Sequence, residues 1–294
     1  MNVLVTGATG FTGSYVVPLL LRQGARVRCL VRAGSDTSRL AVDQVELVEG
    51  DLNDQASLER ALRDADALVN IASLGFGHAP NIVNAAVAAG TRRAVFISTT
   101  AIFTTLNAPS KSVRLAAEET IRASGLAYTI LRPTMIYGSS RDRNMCRLIA
   151  YLRRWPAIPV FGRGEHLQQP VYVEDLATAI VQSLTSERAV GRAYNVSGAA
   201  PLTYNQVIDT VCEALGRRVR KVRLPLAPLV ATLNAVERLP LRLPVKAEQI
   251  MRLNEDKAFD SSAAIEDFGY RPRSFAEGIR LELEEMGIKA EAAR

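Results

Sequence analysis

Short apolar runs alternate with longer stretches of helical periodicity through the first half of the chain. Continuous apolar runs of this kind are typical of strands that are buried on both faces. The stretches between them, such as Leu58–Leu62 and Ile82–Ala89, suit right-handed crossover helices. The pattern therefore predicts an α/β fold with a parallel sheet covered by helices on both faces. The predicted strands are Val3–Thr6, Val27–Val31, Val45–Val48, Ala67–Ile71, Ala94–Ser98 and Thr129–Leu131.

A glycine-rich turn follows the first predicted strand. Gly7, Gly10 and Gly13 stand at three-residue intervals before an apolar helical stretch from Tyr15 to Leu21. Glycines at such a turn let a pyrophosphate approach the N–H groups at a helix N-terminus, and the third lets the helix pack on the strand. The spacing indicates a dinucleotide site and, with the alternating pattern, predicts a Rossmann-type, doubly wound sheet.

The chain changes character after Tyr137 and Gly138, where Pro, Arg and isolated Gly become more frequent. We predict a dinucleotide-binding domain over residues 1–138 and a mainly substrate-facing region over residues 139–294. Residues 171–173 and 193–196 still have a strand pattern. Some of the second region is therefore expected to return to the main sheet.

Composition narrows the class of protein. The 294 residues are 48% hydrophobic and 22% charged, as in a globular enzyme, and a net charge of +6 favours anionic ligands. The three cysteines are scattered and there are only two histidines, so we expect neither a disulfide framework nor a metal site. The chain starts with a strand pattern, and no apolar run reaches the roughly 18 residues that span a bilayer, so we predict a cytoplasmic location.

Two later segments bear on partners. The basic residues in 217–223 alternate with valine, which is typical of a half-exposed strand rather than of a nucleic-acid surface. Residues 226–236 have apolar positions at helical spacing, which favours a helix packed on the substrate region over one lying on a membrane surface. We expect the partner to be a small-molecule substrate and not a nucleic acid. Binding to a membrane surface is not favoured, and the oligomeric state is left open.

The segment from Thr6 to Gly13 resembles the nucleotide-binding motif of the short-chain dehydrogenase/reductase superfamily, in the extended or atypical branches that include nucleotide-sugar epimerases and dehydratases. Gly50-Asp51-Leu52 resembles the family's adenine contact, and small residues end the fourth strand. The resemblance covers nearly the whole chain. It implies cofactor contacts from Gly7, Thr9, Gly10, Phe11, Thr12, Gly13, Arg32, Asp51, Leu52, Ile71, Ala72, Ser73, Thr99 and Pro133.

The end of the second strand bears on the choice between NADP and NAD. An acidic residue there would bond the ribose 2′-hydroxyl, whereas an arginine would bind a 2′-phosphate. Arg32 stands at this point, and the first carboxylate after it is Asp36. We expect NADP, with NAD as the alternative if Asp36 reaches back to the ribose.

The catalytic hydroxyl of the family is retained, but its Tyr-x-x-x-Lys pair is not. The resemblance implies that a Ser or Thr polarises the substrate oxygen while a tyrosine, acidified by the lysine, exchanges a proton. Thr100 matches the hydroxyl position. No tyrosine occurs between Phe103 and Ser124.

Two registers are open for the missing pair. Counting back from Glu118 places Arg114 at the lysine position and Ser110 at the tyrosine position. The other register uses Lys111 as the lysine and puts Asn107 in place of the tyrosine. Neither register restores a phenol, because serine titrates far too high and a guanidinium does not deprotonate.

Tyr137 is the candidate for a substitute phenol. It lies in Arg132-Pro133-Thr134-Met135-Ile136-Tyr137-Gly138, which resembles the family segment along the nicotinamide side of the cleft. The family residue at this place is more often structural.

The substrate side also departs from the family. Nucleotide-sugar enzymes usually carry an arginine for the substrate diphosphate before the strand-to-helix junction at residues 171–176, and Gln168 stands there in this chain. Arg163 and His166 lie close by as compensating candidates or as ordinary loop charges.

Two functions follow from these residues. The first is an NAD(P)-dependent oxidoreductase or epimerase-like enzyme that transfers hydride to or from a small polar or sugar-like substrate, with Thr100 polarising the oxygen. The second is a cofactor-binding sensor or accessory subunit without redox chemistry, because the catalytic tyrosine is missing.

Overall fold

The computed structural model describes residues 1–106, 109–225, 251 and 254–289. Two sequence expectations lie outside these residues: the apolar helical segment at 226–236 and Asn107 of the second catalytic register. Within the described residues, no helix is both long enough and apolar enough to cross a bilayer.

Seven parallel strands of the described chain form one sheet, as the alternating pattern predicts. Their order is β11-β6-β5-β4-β1-β2-β3. The chain adds β2 and β3 on one side of β1 and then returns to add β4 and the later strands on the other side, which is the doubly wound arrangement. The Rossmann-type prediction is confirmed. The strands are β1 Asn2–Thr6, β2 Arg26–Val31, β3 Val45–Glu49, β4 Ala67–Asn70, β5 Arg93–Ile97, β6 Tyr128–Pro133 and β11 Arg192–Val196.

Helices cover both faces of the sheet. One apolar layer joins the sheet to α1, α6 and α8, and the other joins it to α2, α3 and α4. A third apolar cluster lies among α5, α7 and α9, in the second region of the chain. The helices are α1 Gly13–Arg22, α2 Gln55–Leu62, α3 Ala79–Ala88, α4 Pro109–Arg122, α5 Met145–Arg154, α6 Val173–Thr185, α7 Tyr204–Leu215, α8 Ser262–Phe268 and α9 Phe275–Glu285.

The second region is interleaved with the first. Strand β11 pairs with β6 from Arg192 opposite Thr129 to Val196 opposite Pro133, so it completes the main sheet. Short strands of the region pair among themselves. They are β7 Ile136–Tyr137 with β10 Val171–Tyr172, β8 Ala157–Phe161 with β13 Arg220–Leu224, and β9 Leu167–Gln168 with β12 Leu202–Thr203.

Candidate functional site

The glycine-rich turn between β1 and α1 is closely packed. Gly7 has a φ of +71°, and a Cβ there would lie 2.8 Å from the backbone nitrogen of Ala72, at the end of β4. A Cβ on Gly13 would lie 2.3 Å from the carbonyl oxygen of Gly7. Only glycine fits at either position, so α1 can begin directly against the strand it follows.

The N-terminus of α1 presents backbone donors. The described residues contain no acceptor for the N–H groups of Phe11 and Thr12, and the Thr12 side chain does not cap the helix. The first turn of α1 carries no acidic side chain. Unpaired N–H groups and the positive end of a helix dipole favour an anion, so the turn fits the diphosphate of a dinucleotide.

A cavity of about 240 Å³ adjoins this turn at the ends of β2 and β3. Asp36 is not among its lining residues, and the carboxylate of Asp36 accepts a hydrogen bond from the backbone of Ser38 at 3.0 Å. Arg32 therefore lines this end of the groove, whereas Asp36 does not. Of the predicted cofactor residues, the cavity is lined by Gly7, Thr9, Arg32, Asp51, Leu52, Ala72 and Ser73.

A second cavity of about 560 Å³ continues the groove across the ends of β4, β5 and β6. Ser73 lines both cavities, so they form one path over the carboxyl edge of the sheet. The residues at this end are those expected beside a nicotinamide ribose and ring. Of the predicted cofactor residues, this cavity is lined by Phe11, Thr12, Ile71, Ser73, Thr99 and Pro133.

A third cavity of about 860 Å³ lies next to the second. Thr99, Ala101, Thr134 and Asn144 line both. The third cavity also has aromatic walls, from Phe103 and Phe259, whose ring centroids are 5.6 Å apart.

Thr100 and Gln168 belong to the third cavity. The Thr100 hydroxyl donates a hydrogen bond of 3.3 Å to the carbonyl of Pro133. Gln168 is only 6% exposed, and its Oε1 accepts a hydrogen bond from Lys257 Nζ at 3.5 Å. Its buried Nε2 has no hydrogen-bond partner among the described residues. An unsatisfied buried amide donor is costly, and a substrate oxygen would satisfy it.

The two registers for the missing pair lie in different places. Arg114 and Ser110 line the second cavity, and the Arg114 guanidinium donates to Ser110. Lys111 instead donates from Nζ to the carbonyl of Thr104 at 2.6 Å and does not line that cavity. The register counted from Glu118 is thus the one that faces the nicotinamide end.

Tyr137 lies in the core rather than in the groove. It is 1% exposed, with ring centroids of Tyr172 and Phe275 at 5.5 and 5.4 Å. Burial raises the pKa of the Tyr137 phenol well above its ordinary value, and none of the three cavities includes it. The hydroxyl is placed for packing, so proton exchange with a substrate in the groove is not open to it.

Arg163 and His166 also lie outside the three cavities. Arg163 is exposed and pairs with Glu165 at 3.0 Å, and His166 lies 3.2 Å from Asp256. Of the three substrate candidates, the structure brings only Gln168 into the cleft.

Sequence reasoning missed two features of the groove. Beneath it, the buried carboxylate of Glu118 accepts hydrogen bonds from Ser98 and Arg132. In the sequence, Glu118 was used only to align the missing Tyr-x-x-x-Lys pair. Beside the groove, Arg141 reaches from the second region to the glycine-rich turn. Neither pairing has a local signal, because the partners come from distant parts of the chain.

Residues 7–187 match a family model described as NAD(P)H-binding. The chain belongs to this NAD(P)H-binding family. The match runs from the glycine-rich turn to the residues after α6, so it contains all three strand ends that line the second cavity. The resemblance to the extended and atypical short-chain dehydrogenases/reductases is confirmed, and the family match supports binding of a nicotinamide dinucleotide by this chain.

Relatives within this fold differ in what they do. The chain is 26% identical over 289 residues to the NADH dehydrogenase [ubiquinone] 1 alpha subcomplex subunit 9 of Arabidopsis thaliana mitochondria, covering 90% of this chain and 70% of that protein. It is 27% identical over 245 residues to quinone oxidoreductase 2 of Escherichia coli K12, covering 80% and 82%. The structure of a UDP-glucose 4-epimerase complex with NAD from Thermus thermophilus shares the fold, with a TM-score of 0.72, 23% identity and 97% and 98% coverage.

Proposed function

We propose that this protein is an NADP(H)-dependent oxidoreductase that transfers hydride between the nicotinamide ring and a small polar substrate. The observation that carries the proposal is the adjacency of the second and third cavities, which are both lined by Thr99, Ala101, Thr134 and Asn144. A protein that only held the dinucleotide would not need a second chamber of about 860 Å³ beside the nicotinamide end.

The bound cofactor would supply or accept the hydride. The Thr100 hydroxyl would bond the substrate oxygen, because its present bond to Pro133, at 3.3 Å, is long for a hydroxyl donor and readily exchanged. The Gln168 amide would offer a second donor, since its Nε2 has no partner in the described part of the chain. Arg114 and Ser110 would hold the ribose, and Lys111 would support the wall through its bond to Thr104.

Support for NADP comes from the adenosine end. Arg32 lines that cavity together with the hydroxyl-bearing Ser35, and both can donate to a 2′-phosphate. Asp36 is turned toward the backbone of Ser38, so the carboxylate that would select a free 2′-hydroxyl is engaged elsewhere.

A second function is favoured by one observation. No tyrosine stands between Phe103 and Ser124, and Tyr137 is buried, so these parts of the chain offer no phenol to the groove. A sensor of the NADPH/NADP ratio, or an accessory subunit of a complex, needs the groove but no phenol. The mitochondrial relative is itself named as a subunit of NADH dehydrogenase.

The two functions separate in a single-turnover experiment. Excess full-length protein is mixed with NADPH and a panel of aldehydes, ketones and quinones, and the NADPH absorbance is followed. The oxidoreductase proposal expects the absorbance to decay with at least one compound, and expects Thr100→Ala to slow this decay about a hundredfold. Thr185→Ala, an exposed hydroxyl on α6, is the control and should leave the rate unchanged.

Tight NADPH binding without decay for any compound would favour the sensor or accessory subunit. Decay at the same rate in Thr100→Ala would remove the proposed role of its hydroxyl while leaving the hydride transfer in place.

A further inference from the structure

Arg141 joins the second region of the chain to the glycine-rich turn. Its Nη1 donates to the hydroxyl of Ser14 at 3.0 Å, and its Nη2 donates to the carbonyl of Thr9 at 2.9 Å. The side chain lines the second cavity beside Phe11 and Thr12. The guanidinium thus lies at the turn that fits the cofactor diphosphate.

The loop that carries Arg141 is held at several points. The backbone N–H of Arg141 donates to the Ser139 hydroxyl at 3.1 Å, and that of Asp142 donates to the Ser139 carbonyl at 3.1 Å. One Asp142 oxygen then accepts the backbone N–H groups of Asn144, Met145 and Cys146 at the start of α5. The guanidinium is therefore presented from a fixed backbone, and little of its conformational freedom remains to be lost on binding.

The charge of Arg141 is not neutralised by the described residues. Both of its hydrogen-bond acceptors are uncharged, and no carboxylate of the described chain lies within 4.0 Å of the guanidinium nitrogens. A brace between two regions would need only hydrogen bonds. An unpaired cation that lines a cavity beside unpaired backbone N–H groups is instead the arrangement that favours a bound anion.

We propose that Arg141 binds the diphosphate of the dinucleotide, so that the second region supplies one wall of the phosphate site and α1 the other. The guanidinium has five N–H donors, of which two are used at the turn, and the described residues supply no acceptor for the other three, which can serve phosphate oxygens. The inference rests on the dinucleotide binding of the proposed function and not on hydride transfer.

The test compares two ligands on three variants of the full chain. NADPH carries the diphosphate, whereas 2′-AMP carries the adenosine and the 2′-phosphate but no phosphate at the 5′ position. Dissociation constants are measured by calorimetry for the wild type, Arg141→Gln and Arg147→Gln. Arg147 is an exposed residue of α5 that lines none of the three cavities, so it controls for loss of charge.

We expect Arg141→Gln to weaken NADPH binding about tenfold or more, with 2′-AMP binding within about twofold of the wild type. Arg147→Gln should leave both constants unchanged. Unchanged NADPH affinity in Arg141→Gln, or equal weakening of both ligands, would overturn the inference, because equal weakening would show damage to the turn. A selective loss with no hydride transfer by the wild type would instead overturn the proposed reaction alone.

Discussion

The hydroxyl of Ser98 donates a 2.7 Å hydrogen bond to the carboxylate of Glu118, and Ser98 lines the nicotinamide end of the groove. Arg132 donates from Nε to both Glu118 oxygens, at 3.0 and 3.2 Å, and Arg122 donates from the next turn of α4. The groove wall is thus fixed to an ion pair whose carboxylate is fully buried. Burial alone would raise the pKa of Glu118, but these bonds lower it below its ordinary value.

We predict that Glu118→Gln lowers the free energy of unfolding by about 3–5 kcal/mol, because it leaves the largely buried guanidinium of Arg132 without its counter-charge. Because the pKa of Glu118 is lowered in the folded protein, its ionisation stabilises the fold above pH 4.5, and this stabilisation is lost as the pH falls. Glu118→Gln should therefore lose less stability on acidification than the wild type. Urea unfolding at several pH values measures both. Glu119→Gln, on the exposed side of α4, is the control, and an equal effect there would refute the assignment.

Arg32 should set the preference for NADP. Arg32→Ala is expected to weaken NADPH binding about tenfold and to leave NADH binding unchanged, because only NADPH carries the 2′-phosphate. Calorimetric dissociation constants for both cofactors give the ratio, with Arg26→Ala at the exposed start of β2 as control. An unchanged ratio would show that Arg32 is an ordinary loop charge.

Gly278 and Tyr137 give a prediction for the core. A Cβ on Gly278 would lie 2.0 Å from the Tyr137 hydroxyl, so Gly278→Ala should destabilise the protein by about 1–3 kcal/mol. Tyr137→Phe removes the hydroxyl and should regain part of this loss in the double variant. Denaturant midpoints of the single and double variants measure the coupling.

Tyr137→Phe also tests whether the buried phenol takes part in a reaction in the groove. Because the hydroxyl is enclosed, the variant should bind NADPH with the wild-type dissociation constant and react at the wild-type rate. A large loss of rate with intact binding would return Tyr137 to the catalytic residues.

Glu282 predicts a dependence of stability on alkaline pH. Burial and the nearby carboxylate of Asp142 raise the pKa of Glu282 to about 10, so the folded protein holds a proton that the unfolded chain releases near 4.5. The stabilisation is complete below pH 4.5 and is lost as the pH rises through 10. In Glu282→Gln, the amide still has an N–H donor, but the side chain cannot ionise.

The free energy of unfolding of Glu282→Gln should therefore fall less between pH 5 and pH 9 than that of the wild type. Urea titrations at both values measure the difference, and the exposed Glu284→Gln is the control. Parallel pH profiles for Glu282→Gln and the wild type would contradict the raised pKa of Glu282.

Most of the fold could be predicted from local sequence patterns. The strands and the glycine-rich turn follow from residues that are adjacent in sequence, since apolar runs set burial and glycine sets the backbone at Gly7. The groove was predictable for the same reason, because parallel strands bring their carboxyl ends to one edge.

The remaining features depend on contacts between residues far apart in the sequence, which local patterns do not predict. Tyr137 lies next to a cofactor segment in sequence, but Phe275, over 130 residues later, covers its ring. The partners of Arg141 are 127 and 132 positions away, and no periodicity connects them. Gln168 was recognised by position, whereas its unsatisfied amide depends on how the substrate region folds around it.

The placement of β11 beside β6 has a consequence for synthesis on the ribosome. The six other strands of the sheet have all been made by Pro133, but β11 is completed only at Val196. Until then β6 is an open edge with unpaired backbone groups, which invites pairing with other chains. The nascent protein must therefore pass a period of vulnerability to aggregation that lasts until the substrate-facing half has largely emerged.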